Sequence, residues 1–358
     1  MHLHAHNHQI VSRKLQPCGS KRPSVFVLGC GGYVPSTCVT NAQLETELAT
    51  TDEWIVARTG ISSRHRANSG EATSDLAYRA AIPALEQAQT RACELDLILV
   101  GTATPDTIVP STACWLQHRL GAVKAAAMDL SAGCSGFAFG LHIAIGMIQS
   151  ALSRRILVVG AEVLSRFLDY GDRQSAVLFG DGAGAAVLGP GGSLEIIHSS
   201  IGSDGSQADL IQIPAGGSRM PATPATVADR QHCVRLRGNE VFRLAVRKMC
   251  QVAKCAMIEA GLKATDIDWL VPHQANLRIT EAVAEEIGIP MSRVVVDIAR
   301  RGNTSAASIP IALQGLLQQH KVRLGQRIML LAFGSGITWG CQILHVTSDS
   351  FLEASHHA

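Results

Sequence analysis

Charge is scarce in this chain. Of its 358 residues 17% are Asp, Glu, Lys or Arg, the net charge is +2, and no long basic block occurs. Binding to a phosphate backbone requires clustered Lys and Arg, so a nucleic-acid protein is disfavoured, with room left for a local basic patch. Paired cysteines are also missing. The ten thiols, Cys18, Cys30, Cys38, Cys93, Cys114, Cys134, Cys233, Cys250, Cys255 and Cys341, make no CxxC pair and no zinc-ligand spacing with histidine. They read as reduced thiols of a cytoplasmic protein, and no metal site is expected. The first 22 residues hold no continuous apolar signal core. His2, His4, His6 and His8 alternate there, and His356 and His357 stand at the other end, a pattern that suits adventitious metal binding or an added tag more than a native site. Ser131 to Leu152 contains no charged residue and has the length of a membrane span, but its Gly, Ser, Gln and His content suits a helix buried in a soluble protein, so no membrane partner is expected.

What the chain has in quantity is apolar surface. At 47% hydrophobic it can build a large core, as two or three domains or as one duplicated unit. Strand-like apolar runs alternate with helix-length segments, which gives the α/β class. The two halves also echo each other. Glu94 to Val100 resembles Asp266 to Val271, Ala127 to Leu130 resembles Val295 to Ile298, and Arg155 to Val159 resembles Arg327 to Leu331. All three pairs keep their order at an offset of about 170 residues, too long for a solenoid and suited to a duplicated domain. The seam is expected near Gly189-Pro190-Gly191-Gly192-Ser193, giving a disordered tail (1–22), an N-terminal half (23–192), a C-terminal half (193–349) and a second tail (350–358).

Within this frame Cys134 ends a small-residue turn, Ser131-Ala132-Gly133-Cys134-Ser135-Gly136, just before a long apolar helix. A thiol there lies near unpaired backbone N–H groups and the positive end of the helix dipole, which favour the thiolate. A lone cysteine is more often a buried structural residue. Two distant groups reverse that reading: His273 in Val271-Pro272-His273-Gln274-Ala275-Asn276 and Asn303 in Arg301-Gly302-Asn303-Thr304-Ser305. Duplication places Cys134 and Asn303 after equivalent strands and His273 after the other repeated strand, so all three are expected to meet in a cleft between the halves. Gly180-Asp181-Gly182-Ala183-Gly184 lacks GxGxxG order and a Walker lysine, and reads as a buried tight turn.

Several stretches resemble one family's motifs: Thr51 to Ile61 (TDEWIVARTGI), Phe179 to Ala186 (FGDGAGAA), Gly238 to Phe242 (GNEVF), Pro272 to Asn276 (PHQAN), Gly302 to Ser308 (GNTSAAS) and Phe333 to Gly340 (FGSGITWG). From Val25 to Val346 the chain resembles the β-ketoacyl-acyl carrier protein synthase III enzymes, the initiating condensing enzymes of type II fatty acid synthesis. The resemblance implies a thiolase-like fold, with two duplicated α/β halves whose mixed sheets pack in an αβαβα layered architecture. It implies a decarboxylative Claisen condensation of a short acyl-coenzyme A with malonyl-acyl carrier protein. Cys134 would carry the acyl group, and His273 and Asn303 would stabilise the enolate. Cys134 and the turn Gly334-Ser335-Gly336 would form the oxyanion hole, with Ser335 standing where the family usually has glycine.

By the same resemblance Trp54 and Arg173 would sandwich the adenine of coenzyme A, and Arg58, Gly238, Phe242 and Asn276 would line its path. Val109, Leu164 and Phe179 would shape the acyl pocket, with Val109 at a position often held by a bulky aromatic and reaching into the second subunit of a homodimer. Arg243, Arg247, Lys248 and Arg278 would dock the acidic carrier protein, although Glu285 and Glu286 stand where lysines are common. Acyl-coenzyme A enters as a substrate, and no cofactor is implied. A paralogous enzyme of a specialised pathway, making a biotin precursor, quinolone or polyketide from a different primer, is the alternative that the triad leaves open.

Overall fold

The computed structural model describes residues 23–319 and 321–348. The expected tails, 1–22 and 350–358 with their histidines, lie outside the described residues. Thirteen strands occur among those described: β1 (Phe26–Tyr33), β2 (Thr37–Thr40), β3 (Ser63–Arg66), β4 (Leu97–Gly101), β5 (Ala126–Leu130), β6 (Ile156–Glu162), β7 (Gly182–Gly189), β8 (Leu194–Ser203), β9 (Ile211–Gln212), β10 (Arg235–Leu236), β11 (Trp269–Pro272), β12 (Arg327–Gly334) and β13 (Thr338–Val346). The α-helices are α1 (Asn41–Glu45), α2 (Asp52–Thr59), α3 (Thr73–Gln87), α4 (Thr112–Leu120), α5 (Gly136–Gln149), α6 (Arg173–Ala176), α7 (Pro224–Ala228), α8 (Gly238–Ala260), α9 (Leu277–Ile287), α10 (Ile298–Arg301) and α11 (Ser308–Gln318).

Nine strands form one mixed sheet in the order β11-β12-β13-β8-β1-β7-β6-β4-β5. Strands β4, β6 and β7 are buried along their whole length, which is why they read as continuous apolar runs without alternation. Successive side chains still point to opposite faces. Val158 on β6 and Leu330 and Ala332 on β12 join a central core with Phe137, Leu141 and Leu313 of α5 and α11. Their neighbours face outward, Leu157 and Val159 onto α3 and Met329, Leu331 and Phe333 onto α8 and α9. The result is five layers, with α5 and α11 between the two halves of the sheet. A helix in that position is apolar all round, which is how α5 comes to look like a membrane span; among the described residues no helix is long and apolar enough to cross a membrane.

The two halves of the sheet meet edge to edge at its middle, Phe26 pairing with Glu195 and Val27 with Leu194 across β1 and β8. Two of the three echoed strand pairs are strands at matching places, β4 with β11 and β6 with β12. The third is not. Opposite β5, the stretch Val295 to Ile298 forms no strand: a single bridge joins Leu270 to Val294, and Ile298 already opens α10. With Asp297 and the helix following at once, the chain turns into the site before a ladder can extend.

Candidate active site

The nucleophile turn is set by the end of β5 and the start of α5. Gly133 takes φ 50, a left-handed conformation that a side chain would strain. The turn is clamped from the β12–β13 hairpin: the Thr338 hydroxyl reaches the carbonyls of Ala132 at 2.9 Å and Ser335 at 3.0 Å. A Cβ on Gly334 would lie 2.6 Å from the Cys134 backbone nitrogen. The hairpin and the nucleophile turn therefore touch backbone to backbone. Ser335, where a strained φ was the concern, is absent from the residues of positive φ; Gly336 takes that role with φ 122.

His273 follows β11 and continues its ladder, its N–H donating to the Leu331 carbonyl at 2.8 Å. Asn303 is held by a bridge to Phe179, with its N–H to the Leu178 carbonyl at 2.8 Å and its carbonyl accepting from Gly180 N at 3.0 Å. The Gly180-to-Gly184 segment is thus a buried turn and strand start that positions Asn303. Cys134, His273 and Asn303 line one pocket together with Phe179, Gly238, Phe242, Asn276 and Gly334.

Hydrogen bonding orients both polar partners. The Asn303 Oδ1 accepts from Ser305 N at 2.8 Å, which leaves the amide NH₂ as donor to the pocket. His273 is 3% exposed, and burial pulls its pKa down to about 3, so the ring is neutral. Its Nδ1 lies 2.7 Å from the Ser308 hydroxyl, which also receives the Gln274 N–H at 3.4 Å. Because that Oγ accepts from Gln274, its own hydrogen can donate to Nδ1, leaving Nε2–H as a donor. The thiol departs from expectation. Burial outweighs the helix terminus and pushes Cys134 up to about 12, so the resting residue is a thiol rather than a thiolate.

The other expected residues divide. Gly238 opens α8 and Asn276 caps α9, its Nδ2 donating to the Arg58 carbonyl at 2.9 Å. Arg58 and Arg173 both sit over the Trp54 ring, at 4.6 and 4.8 Å. That distance is one stacking layer, so an adenine between Trp54 and Arg173 requires the guanidinium to move aside. Phe179 lines the pocket, whereas Leu164 is buried behind it in a cluster with Leu168 and Val234. Val109 is 83% exposed and outside the pocket of its own chain. Arg243 and Arg247 are exposed one turn apart on α8, and Arg278 is exposed over the Phe242 ring. Lys248 is the correction: it is buried, its ammonium 4.3 Å from the Trp339 ring, because position 248 turns inward between Leu244 and Val252 on the helix. Glu286 pairs with Lys254 at 2.7 Å, which ties that carboxylate to α8.

Sequence reasoning missed Ser305, Ser308 and Glu162 as site residues. The two serines lie two and five residues after Asn303 in the GNTSAAS stretch, so spacing could have found them. Glu162, at the buried end of β6, gives no signal beyond a carboxylate closing an apolar strand.

A half-buried Cys with a buried His and Asn on one pocket, between the two halves of a five-layered duplicated sheet, defines a thiolase-like condensing enzyme. Family models for 3-oxoacyl-[acyl-carrier-protein] synthase III match residues 128–205, and for its C-terminal part residues 257–346. The beta-ketoacyl-[acyl-carrier-protein] synthase III of Clostridioides difficile is 46% identical over 90% of this chain and 98% of its own. The crystal structure of the corresponding synthase from Pseudomonas aeruginosa is 40% identical, with TM-score 0.84 over 91% of this chain and 99% of that one; the one from Aquifex aeolicus is also 40% identical, with TM-score 0.82 over 90% and 99%. The chain belongs to the β-ketoacyl-acyl carrier protein synthase III family, and it is an acyltransferase of the initiating, condensing type.

Proposed function

We propose that this chain joins a short acyl group from acyl-coenzyme A to malonyl-acyl carrier protein, releasing coenzyme A and CO₂ and giving a β-ketoacyl-acyl carrier protein. Cys134 attacks the acyl thioester and holds the acyl group. The oxyanion formed is met by the Cys134 N–H and a second N–H of the Gly334-Ser335-Gly336 turn. The malonyl thioester carbonyl then faces His273 Nε2–H and the Asn303 amide. Loss of CO₂ leaves an enolate that these two donors hold until it attacks acyl-Cys134. The observation that carries this reading is the orientation of both donors by Ser308 and Ser305, since a neutral imidazole and an amide stabilise an enolate without donating their protons away.

The chemistry calls for no resident cofactor, and coenzyme A is a substrate on the path from Trp54 to Phe242. A cytoplasmic enzyme fits the unpaired thiols. The carrier protein is an acidic partner steered by Arg243, Arg247 and Arg278. A homodimer is supported by two exposed features: the edge strand β5, with Met128 43% exposed, and the loop after β4 bearing Ile108 and Val109, 82% and 83% exposed. The test separates the half-reactions. Cys134→Ala should lose condensation and retain malonyl decarboxylation, whereas His273→Ala and Asn303→Ala should lose decarboxylation. A Cys134→Ala enzyme condensing at the wild-type rate would remove the thiol from the scheme.

A further inference from the structure

Glu162 is a buried carboxylate to which the condensation assigns no step. It closes β6 with no exposed surface, and a buried charge is costly unless its lone pairs are filled. Four donors fill them: the Thr104 hydroxyl at 2.6 Å and the Thr102 hydroxyl at 3.3 Å on Oε2, and the Ala103 N–H at 3.1 Å and the Ser305 hydroxyl at 2.9 Å on Oε1. The Thr104 oxygen accepts from Val163 N at 2.9 Å and the Thr102 oxygen from Thr104 N at 3.0 Å, which turns both hydroxyl hydrogens toward the carboxylate. Three of the four donors therefore tie Glu162 to the start of the loop after β4. The fourth comes from the other half of the chain, in the Asn303 loop.

Ser305 faces two ways. Glu162 holds its hydroxyl, and its backbone N–H donates to Asn303 Oδ1 at 2.8 Å. A backbone N–H can only donate, so this contact decides which end of the Asn303 amide is oxygen. Ser305 also holds φ 49, a left-handed conformation that persists in a residue with a side chain only where the surroundings enforce it. Strand β6 supplies the support. A Cβ on Gly160 would collide with the Ala306 carbonyl, so strand and loop touch backbone to backbone, and at the end of the same strand Glu162 takes the Ser305 hydroxyl. An Asn303 amide turned the other way would aim its oxygen at the enolate oxygen and repel it.

We propose that Glu162 is a positioning residue for the condensation: through Ser305 it fixes the Asn303 amide with its NH₂ toward the malonyl thioester. Glu162→Gln breaks this chain at one atom. Oε2 must stay an oxygen, because the Thr102 and Thr104 hydrogens point at it, so the new NH₂ falls opposite Ser305 and cannot accept its hydroxyl.

The positioning role rests on Asn303 being an enolate donor, and its test is read on malonyl decarboxylation, as labelled CO₂ released from malonyl-acyl carrier protein without acyl-coenzyme A. Glu162→Gln should lower that rate about 10²-fold, as for a group misplaced by about 1 Å, while labelled acetyl-coenzyme A still acylates Cys134. Ser305→Ala keeps the N–H but removes the tether, for a loss of about 10-fold, the net contribution of one hydrogen bond. In an Asn303→Ala background no amide remains to be oriented, so adding Glu162→Gln should lower the residual decarboxylation no further. A carboxylate that only stabilises the fold would lower it by the same factor in both backgrounds, and that result would overturn the proposal. Wild-type decarboxylation in Ser305→Ala would overturn it too, and this variant leaves the carboxylate in place should Glu162→Gln fail to fold. If Asn303→Ala alone decarboxylates at the wild-type rate, the proposed function loses its amide donor and the positioning role falls with it. Loss in Asn303→Ala with none in Glu162→Gln and Ser305→Ala leaves that function standing and removes only the positioning role.

Discussion

Replacing Gly334 by alanine would bring a methyl carbon 2.6 Å from Cys134 N, 2.9 Å from Ser135 N and 3.2 Å from Ala132 O. All three are backbone atoms of the nucleophile turn, so no rotamer change relieves the overlap. Ordinary contact begins near 3.4 Å, and the turn must retreat by about 0.8 Å from the hairpin in a close-packed region. Overpacking of this kind costs about 1–3 kcal/mol of stability. The catalytic cost is larger, because the displaced Cys134 N–H is one of the two proposed oxyanion donors. Losing one such donor lowers kcat about 10²–10³-fold. Gly315, on α11, supplies the control: a Cβ there meets nothing within 4 Å, and Gly315→Ala should stabilise the helix by about 0.5–1 kcal/mol with kcat unchanged. The assay is steady-state condensation of acetyl-coenzyme A with malonyl-acyl carrier protein, beside calorimetric unfolding. A Gly334→Ala enzyme with wild-type kcat and melting temperature would refute the backbone contact and the oxyanion assignment together.

On the docking face, Arg243→Glu should raise KM for malonyl-acyl carrier protein with little effect on acylation, and salt should weaken carrier use in the same direction; unaltered carrier kinetics at low salt would exclude this face. Lys248→Glu should act differently, placing a carboxylate against the Trp339 ring and destabilising the fold, so a melting temperature equal to wild type would contradict the buried position. Val109→Phe should narrow primer use toward acetyl if the loop enters a second subunit's pocket, measured across a panel of acyl-coenzyme A chain lengths; an unchanged preference would count against it. Two buried groups give opposing pH effects. His273, pulled down to about 3, binds fewer protons folded than unfolded, so its contribution is complete above the unfolded value of 6.5 and is lost as pH falls toward 3. Glu162, pushed up to about 7, binds more protons folded, so its contribution is complete below the unfolded value of 4.5 and is lost as pH rises through 7. Denaturant titrations should find the two slopes opposed between 4.5 and 6.5, and Glu162→Gln should leave stability rising with pH across that window.

Sequence alone determined the α/β class, the two echoed strand pairs that became β4 with β11 and β6 with β12, and the three residues that meet in the pocket. These were legible because strand periodicity, turn residues and polar groups in unusual settings are local properties. It misjudged Val295 to Ile298, whose β-branched residues favour a strand until Asp297 and the turn to α10 intervene. It placed Lys248 with Arg243 and Arg247 because a run of basic residues has no inside or outside until α8 is packed on the sheet. It made Cys134 a thiolate from the helix terminus, a nearby effect, when desolvation by the whole surrounding core decides the balance. Tertiary structure alone joined Glu162 to Ser305, whose hydroxyl donates to Glu162 Oε1 at 2.9 Å, since the two stand 143 residues apart and only the folded Asn303 loop brings them together. Burial and tautomer depend on what surrounds a residue in space, and neither is written in its neighbours along the chain.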